Sequence, residues 1–290
     1  MLDGFISFLA DHLADKGVAG MVKTTVGILA FGSVLAASFG STPLKAAFLL
    51  TAGMYVLAAL ATLAGSRSAL HRKVVRRDHL LARYCDLIYD EIQPLWRIDR
   101  WEESAEVADN GDVSASILVH AFVQRDRLRF YRVRLGPNWD QPMSSRRKVR
   151  VKVAGIEVGG AAKNQCESTS SWLPDGRLEV LVHFPTAPPR KGDEVVLRFE
   201  VHWPQKATPL MRSGRPDEFV MLLGNPLAYL RYRVTLPAGV RVHAIPVGLQ
   251  AGVDSYRLET STTGGNRPVV ELVAHDIAAD RRFGMRLDLR

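Results

Sequence analysis

The stretch DRLRFYRVRLG, residues 126–136, alternates basic with apolar side chains, a pattern typical of a β-strand. It contains Arg127, Arg129, Arg132 and Arg134. Strict alternation divides these arginines between the two faces of the strand. A bulge at Phe130–Tyr131 would instead gather all four on one face and leave the apolar side chains to fill a core.

Two more segments repeat the pattern of this strand. KVRVKV (148–153) places Lys148, Arg150 and Lys152 opposite three valines, and RYRV (231–234) adds Arg231 and Arg233. With residues 127–134, these segments hold nine bases and no acid. Since like charges on neighbouring strands repel, one interpretation is an anion bound across a basic face. The alternatives are a solvated sheet face and a contact with lipid headgroups.

The nine basic residues are the candidate ligand-binding residues of the chain. An arginine guanidinium donates two parallel hydrogen bonds to a phosphate. The predicted ligand is therefore a phosphate-bearing anion, and a nucleic acid, a nucleotide or a lipid surface would each supply one. A formal net charge of +8 and a pI near 9.7 also favour an anionic partner.

From residue 97 onward the hydrophobic pattern has a period of two. Thirteen strand candidates follow one another to the C-terminus, and DNGD (109–112) and PDG (174–176) are hairpin turn signals. No segment between them is long enough for an amphipathic helix. The pattern predicts an all-β sandwich or barrel over residues 97–290.

The N-terminal part has a different composition. Residues 24–40 and 46–65 carry no charge, and Lys23 stands just before the first run. These runs predict a two-helix transmembrane hairpin over residues 18–65; a cleaved signal peptide is the alternative for the first. Arginines and a lysine cluster at 67–77, which places both chain ends in the cytoplasm of an inner-membrane, multi-pass protein.

Two further helices are predicted beside this hairpin. Residues 1–16 form an amphipathic helix that would rest on the membrane or on neighbouring protein. Residues 66–94 form a basic connector helix, which either packs on its own β-domain or joins subunits as a short stalk. Small residues at 32, 36 and 40 would allow close helix packing within the hairpin or between subunits.

The sequence contains no motif of a known catalytic site. It has no GxxxxGK[ST], HExxH, GxSxG or paired CxxC pattern, and its two cysteines are far apart. We therefore expect no enzymatic activity, no cofactor and no metal site.

The whole architecture of hairpin, basic connector and β-domain resembles the two-transmembrane, β-strand-rich effectors of bacterial nucleotide-signalled anti-phage systems. The resemblance implies that an anionic nucleotide or oligonucleotide made by a partner nucleotidyltransferase is the ligand, and that it controls a membrane pore or membrane disruption. It also implies a homo-oligomer, which could be a tetramer, in contact with membrane lipid. It rests on architecture and carries over no site residue. The alternative is a membrane-tethered β-sandwich module that binds a protein partner.

Overall fold

The described part of the chain is built mainly from β-strands. The computed structural model describes residues 95–126, 128–162, 167–184 and 188–290, and nine single positions between 53 and 85 that are helical. The chain divides into two units, Met1–Arg77 and Asp78–Arg290. All the strands named below belong to the second unit.

Fourteen strands and two short helices follow one another in the described residues. The strands are β1 (Trp96–Val107), β2 (Val113–Val123), β3 (Phe130–Leu135), β4 (Arg150–Val158), β5 (Ala161–Ala162), β6 (Glu167–Trp172), β7 (Leu178–His183), β8 (Glu194–Trp203), β9 (Asp217–Leu222), β10 (Leu227–Thr235), β11 (Val242–Val247), β12 (Tyr256–Thr262), β13 (Pro268–Ile277) and β14 (Arg282–Leu289). The helices are α1 (Met143–Arg146) and α2 (Thr208–Ser213).

The strands form one large sheet and two small ones. The large sheet has eight strands in the order β12-β13-β10-β1-β2-β8-β4-β5. The small sheets have the orders β11-β14-β9 and β3-β7-β6. Neighbouring strands are antiparallel except for β1 and β10, which are parallel.

Alternating burial explains why these segments form strands. In β8 every second side chain from Val195 to Trp203 is buried, and those between are exposed or half-buried. β1 changes phase at a bulge between Ile98 and Arg100, after which Trp101 begins the buried set. The large sheet thus has one apolar face and one polar outer face.

The two small sheets pack against the apolar face of the large one. The rings of Trp96 on β1 and Tyr131 on β3 meet edge to face with centroids 5.1 Å apart. The ring of Tyr232 on β10 lies 6.4 Å from that of Phe219 on β9. A single hydrophobic cluster includes buried side chains of all three sheets. This arrangement places one core between two layers.

Each of the thirteen predicted strand segments overlaps an observed strand. The turns predicted at 109–112 and 174–176 join β1 to β2 and β6 to β7 in antiparallel pairs. Three short elements were not predicted: β5, α1 and α2. They have two, four and six residues, too few for a hydrophobic period to show.

The predicted membrane segment does not agree with the structure. No helix in the described part of the chain is long and apolar enough to cross a membrane. The predicted fold class of a transmembrane hairpin with a connector helix, the pore, and the multi-pass inner-membrane location with cytoplasmic ends are therefore wrong. The physical reason is that hydropathy reports composition, whereas a span also needs one continuous helix of about 20 residues.

Most of the N-terminal predictions concern residues without a described position. The helix predicted at 1–16, nearly all of the hairpin predicted at 18–65 and most of the connector predicted at 66–94 lie outside the described residues.

Candidate ligand-binding site

Six of the nine predicted basic residues lie on strands, and these strands belong to two different sheets. Arg150 and Lys152 are on β4 and Arg231 and Arg233 on β10, with β8, β2 and β1 between these strands. Arg132 and Arg134 are on β3 in a small sheet, and Arg129 directly precedes that strand. Lys148 lies in the turn before β4, and Arg127 is outside the described residues.

The bulge considered for β3 is absent from its pairing. β3 pairs with β7 from Phe130 to Leu135 without a shift of register. Arg132 and Arg134 therefore share one face with each other, and Tyr131 and Val133 lie on the opposite face. The Nε of Arg134 donates to Glu179, whose side chain is fully buried, over 2.9 Å. The arginines of β3 thus belong to a separate environment from those of β4 and β10.

Acidic residues of neighbouring strands balance the basic side chains of the large sheet. Arg231 and Arg233 both donate to Glu271 on β13 over 3.0 Å, and Lys152 pairs with Glu200 on β8 over 3.3 Å. Burial alone would raise the pKa of Glu271, but the hydrogen bonds from the two arginines outweigh it and hold that pKa below its usual value. The repulsion expected between basic strands is therefore relieved within the sheet.

The outer face of the large sheet nevertheless gathers three of the predicted residues around one cavity. Its volume is about 690 Å³, and Arg150, Lys152 and Arg233 all line it. We call this cavity the serine trough, because Ser104, Ser114 and Ser116 lie between the two basic edges. Its other polar lining residues are Glu106, Glu200, His202 and Thr235.

Strand register explains the shape of the serine trough. One cross-strand row runs Lys152, Glu200, Ser116, Ser104, Arg233 from β4 to β10. The next row runs Arg150, His202, Ser114, Glu106, Thr235. The small serines stand on the two central strands, β1 and β2, together with Glu106, and the other charged side chains stand on the flanking strands. With strands about 4.8 Å apart, β4 and β10 are separated by about 19 Å.

One cation of the trough is available to a ligand. No carboxylate pairs with Arg150 among the described residues, and its side chain is exposed. Lys152 and Arg233 are held by Glu200 and Glu271, and the carboxylate of Glu106 lies 3.4 Å from Arg267. Arg150 is therefore the guanidinium that an incoming anion would reach without breaking an ion pair.

Hydroxyl groups supply the remaining polar contacts of the trough. The hydroxyl of Ser114 lies 3.4 Å from Nδ1 of His202, and Ser104 stands directly opposite Ser116. Serine hydroxyls both donate and accept hydrogen bonds. No Phe, Tyr or Trp side chain lines this cavity in the described structure. The trough can hold phosphate, carboxylate and sugar hydroxyl groups, and the imidazole of His202 is the one aromatic ring among its described lining residues.

The hydroxyl floor of the trough was missed at the level of sequence. Its signal was present in VSASILVH (113–120), where serines occupy alternate outward positions of a strand. Outward serines are common on solvated sheets, so only the flanking arginines of distant strands make them a candidate site. No group of three or more His, Cys, Asp or Glu side chains that could hold a metal ion occurs in the part of the chain that the structure describes.

No family model and no curated protein matches the chain. Among solved structures, it is similar to a proposed protease from Parabacteroides distasonis, at 8% identity and a TM-score of 0.46, over 68% of this chain and 40% of that one. It is also similar to an M1 zinc metallopeptidase from Deinococcus radiodurans, at 13% identity and a TM-score of 0.40, over 68% and 42%.

A third similar structure is a proposed nutrient-binding protein from Legionella pneumophila, at 7% identity and a TM-score of 0.38, over 68% of each chain. The chain spans about two fifths of the length of the two peptidases. No activity or ligand of these proteins is transferred to this chain.

Proposed function

We propose that the β-domain is a binding module for a small anionic ligand, which it holds in the serine trough. The observation that carries this proposal is the cavity of about 690 Å³ that brings Arg150, Lys152 and Arg233 around a floor of serines. Its volume lies within the usual range of ligand pockets, roughly 300 to 1,000 Å³. Arg150 binds the anionic group and the hydroxyls bind the polar remainder.

A nucleotide bound through its phosphate and ribose is the first ligand class to test. The phosphate suits the guanidinium of Arg150, and ribose hydroxyls match the hydroxyls of Ser104, Ser114 and Ser116. The base would extend out of the trough, because no Phe, Tyr or Trp side chain is among the described lining residues. Control of an anti-phage effector by such a ligand, a partner nucleotidyltransferase and a homo-oligomeric assembly are predictions from the resemblance alone.

The test is a titration of the full chain with cyclic dinucleotides, short oligonucleotides and pyrophosphate at two salt concentrations. We expect saturable binding that weakens at the higher salt concentration. Arg150→Gln removes a charge-assisted hydrogen bond worth about 1.5 to 3 kcal/mol, so the dissociation constant should rise at least about tenfold. Ser116→Val should weaken binding as well, by removing a hydroxyl from the floor.

The matched control is Arg257→Gln, which removes an exposed arginine on β12 outside the trough. This variant should bind as the parent chain does. The proposal fails if no probe binds saturably, or if Arg150→Gln and Arg257→Gln have the same affinity as the parent chain.

A further inference from the structure

The inner layer of the fold has a gap between its two small sheets. β3 is an edge strand of one small sheet and β9 is an edge strand of the other. Two adjoining cavities of about 190 Å³ each lie between these strands. Residues 131–138 line them on one side and residues 220–225 on the other. We call this feature the inter-sheet groove.

The two edges run antiparallel along the inter-sheet groove. At one end the amide of Asn138 donates to the backbone carbonyl of Glu218. Arg134 and Leu222 line both cavities, and Tyr131 and Asn225 line the far one. The residue numbers therefore fall along β3 while they rise along β9. At this end, the Asn138 amide donates to β9 as the backbone N–H of a neighbouring strand would.

The free edge of β9 faces the inter-sheet groove with its backbone. Backbone groups along a strand alternate between its two sides. Because the carbonyl of Glu218 accepts a hydrogen bond from Asn138 across the groove, the backbone groups of Val220 and Leu222 point to that side too. Asp217, Phe219 and Met221 direct theirs to β14. An extended edge of this kind is a template for another strand.

The walls of the inter-sheet groove differ in chemistry. Trp101, Trp203 and Tyr232 of the large sheet form its floor together with Glu103, and all four are buried. Arg134, Arg177 and Arg282 line it nearer the surface. Their carboxylate partners Glu179, Asp175 and Glu218 are not part of the lining. An occupant therefore meets an aromatic floor that contains one carboxyl group, and a rim that carries three guanidinium groups and the carboxylate of Asp280.

We infer that the inter-sheet groove binds an extended peptide segment of a partner protein, in which apolar and acidic side chains alternate. The peptide pairs with the edge of β9 through the backbone groups of Val220 and Leu222. Its apolar side chains face the aromatic floor and its acidic ones face the arginines. Strand addition of this kind draws affinity from backbone hydrogen bonds and specificity from pockets for alternate side chains.

Two observations favour this occupant over a compact small molecule. Leu222 is a large apolar side chain at the end of β9, yet 48% of it is exposed, and an added strand would cover it. A strand between β3 and β9 would also join the two small sheets into one continuous layer. The site is separate from the serine trough, which lies on the outer face of the large sheet.

The test is a selection of the full chain against two peptide libraries of ten residues. In one library Val, Leu, Ile or Phe alternates with Asp or Glu; in the other it alternates with Lys or Arg. We expect enrichment from the acidic library alone. Enriched peptides should slow hydrogen exchange at the amides of Val220 and Leu222 when they bind.

Val220→Pro removes the edge N–H without touching the bonds between β9 and β14, so it should weaken binding of these peptides at least tenfold. Val253→Ala, at an exposed position outside the groove, should bind them as the parent chain does. The inference is overturned if neither library yields a binder, if both do equally, or if Val220→Pro binds normally. Dimerisation of the parent chain that Val220→Pro abolishes would assign the groove to a second copy and overturn it too.

Discussion

At the residue scale, the least expected feature is a group of ionisable side chains in the core. Glu103 on β1 is buried and accepts a hydrogen bond from Nε1 of Trp101 over 3.3 Å and another from Tyr232. Burial raises its pKa, against the opposing charge of Lys206. Burial likewise raises the pKa of Asp217 to about 6. Such groups lower the stability of a fold at neutral pH unless a ligand or a proton compensates them.

Asp217 makes the stability of the fold depend on pH. Its ordinary pKa is 3.8 and its folded pKa is about 6. Between these values the unfolded chain loses the proton while the folded chain retains it, so stability falls as pH rises from about 4 to 6 and stays low above. The loss is on the order of 2 to 3 kcal/mol. Asp217→Asn should remove this part of the dependence and be the more stable protein at pH 7.

Urea unfolding at pH 4, 5, 6 and 7 measures this effect. Glu259→Gln, an exposed position on β12, is the control and should follow the parent chain. Glu103 adds a dependence of the same sign, so some slope remains in Asp217→Asn. A parent chain equally stable at pH 4 and pH 7 would contradict the role assigned to Asp217.

Two glycines with positive φ allow the energetic cost of the backbone conformation to be measured apart from the cost of a steric clash. Gly248 has φ +69°, and a Cβ there would lie 2.0 Å from the carbonyl oxygen of Arg282. Gly192 has φ +89° but open space around it. Both alanine variants carry the conformational cost of about 1 to 2 kcal/mol. Gly248→Ala should lose at least another 2 kcal/mol in the free energy of unfolding, and equal losses would contradict the close approach of Arg282.

At the element scale, the two sides of β9 have different surroundings. One side pairs with β14 from Asp217 to Leu222, and the other faces the inter-sheet groove. In the large sheet, β10 is fixed on both sides, by a parallel pairing with β1 and an antiparallel one with β13. An edge strand can change its neighbours, whereas a central strand such as β10 cannot.

Proline at two adjacent positions of β9 tests this assignment without any ligand. Met221→Pro removes an N–H that pairs with β14 and should cost about 1 to 3 kcal/mol. Val220→Pro removes an N–H on the free edge and should cost much less. Thermal unfolding followed by far-UV circular dichroism gives the comparison. If Val220→Pro were the more destabilising variant, the alternation assigned to β9 would be reversed.

At the scale of the whole second unit, one core joins the three sheets. Buried side chains of the large sheet, of β3 and β7, and of β9 and β14 belong to a single cluster. The sheets share no backbone ladder with one another. Side-chain packing across the layers therefore couples them, and we expect them to unfold together.

Truncation of a core residue in a small sheet tests this coupling. Phe283 on β14 is buried, and Phe283→Ala should cost about 3 to 5 kcal/mol. Tryptophan fluorescence reports β1, β6, β8 and the loop that contains Trp139, and circular dichroism reports all strands. Both signals should shift together to lower urea, while Val253→Ala, 77% exposed, should leave them unchanged. A shift in circular dichroism alone would mean that the small sheet unfolds by itself.

Part of the candidate site could be predicted from the sequence. Arg150, Lys152 and Arg233 were assigned outward positions on strands, and they line the serine trough. The prediction could not separate them from Arg132 and Arg134, which show the same local alternation but lie in another sheet. Three ion pairs were also not predicted: Lys152 with Glu200, Arg233 with Glu271, and Arg134 with Glu179. Each of these acids comes from a different strand, so no local pattern reports it.

The sequence by itself determined where the strands lie and which side chains point inward, because the period of two is a local property of an extended chain with one buried face. It did not determine the cellular location. The apolar runs near the N-terminus predict membrane-spanning helices, but no helix in the described structure is long and apolar enough to cross a membrane. Only the tertiary structure decided which strands are neighbours. This strand order places Arg150 and Arg233 on opposite sides of the serine trough, and it leaves the edges of β3 and β9 facing the inter-sheet groove. The reason is that strand order and register are set by pairing between segments far apart in the chain.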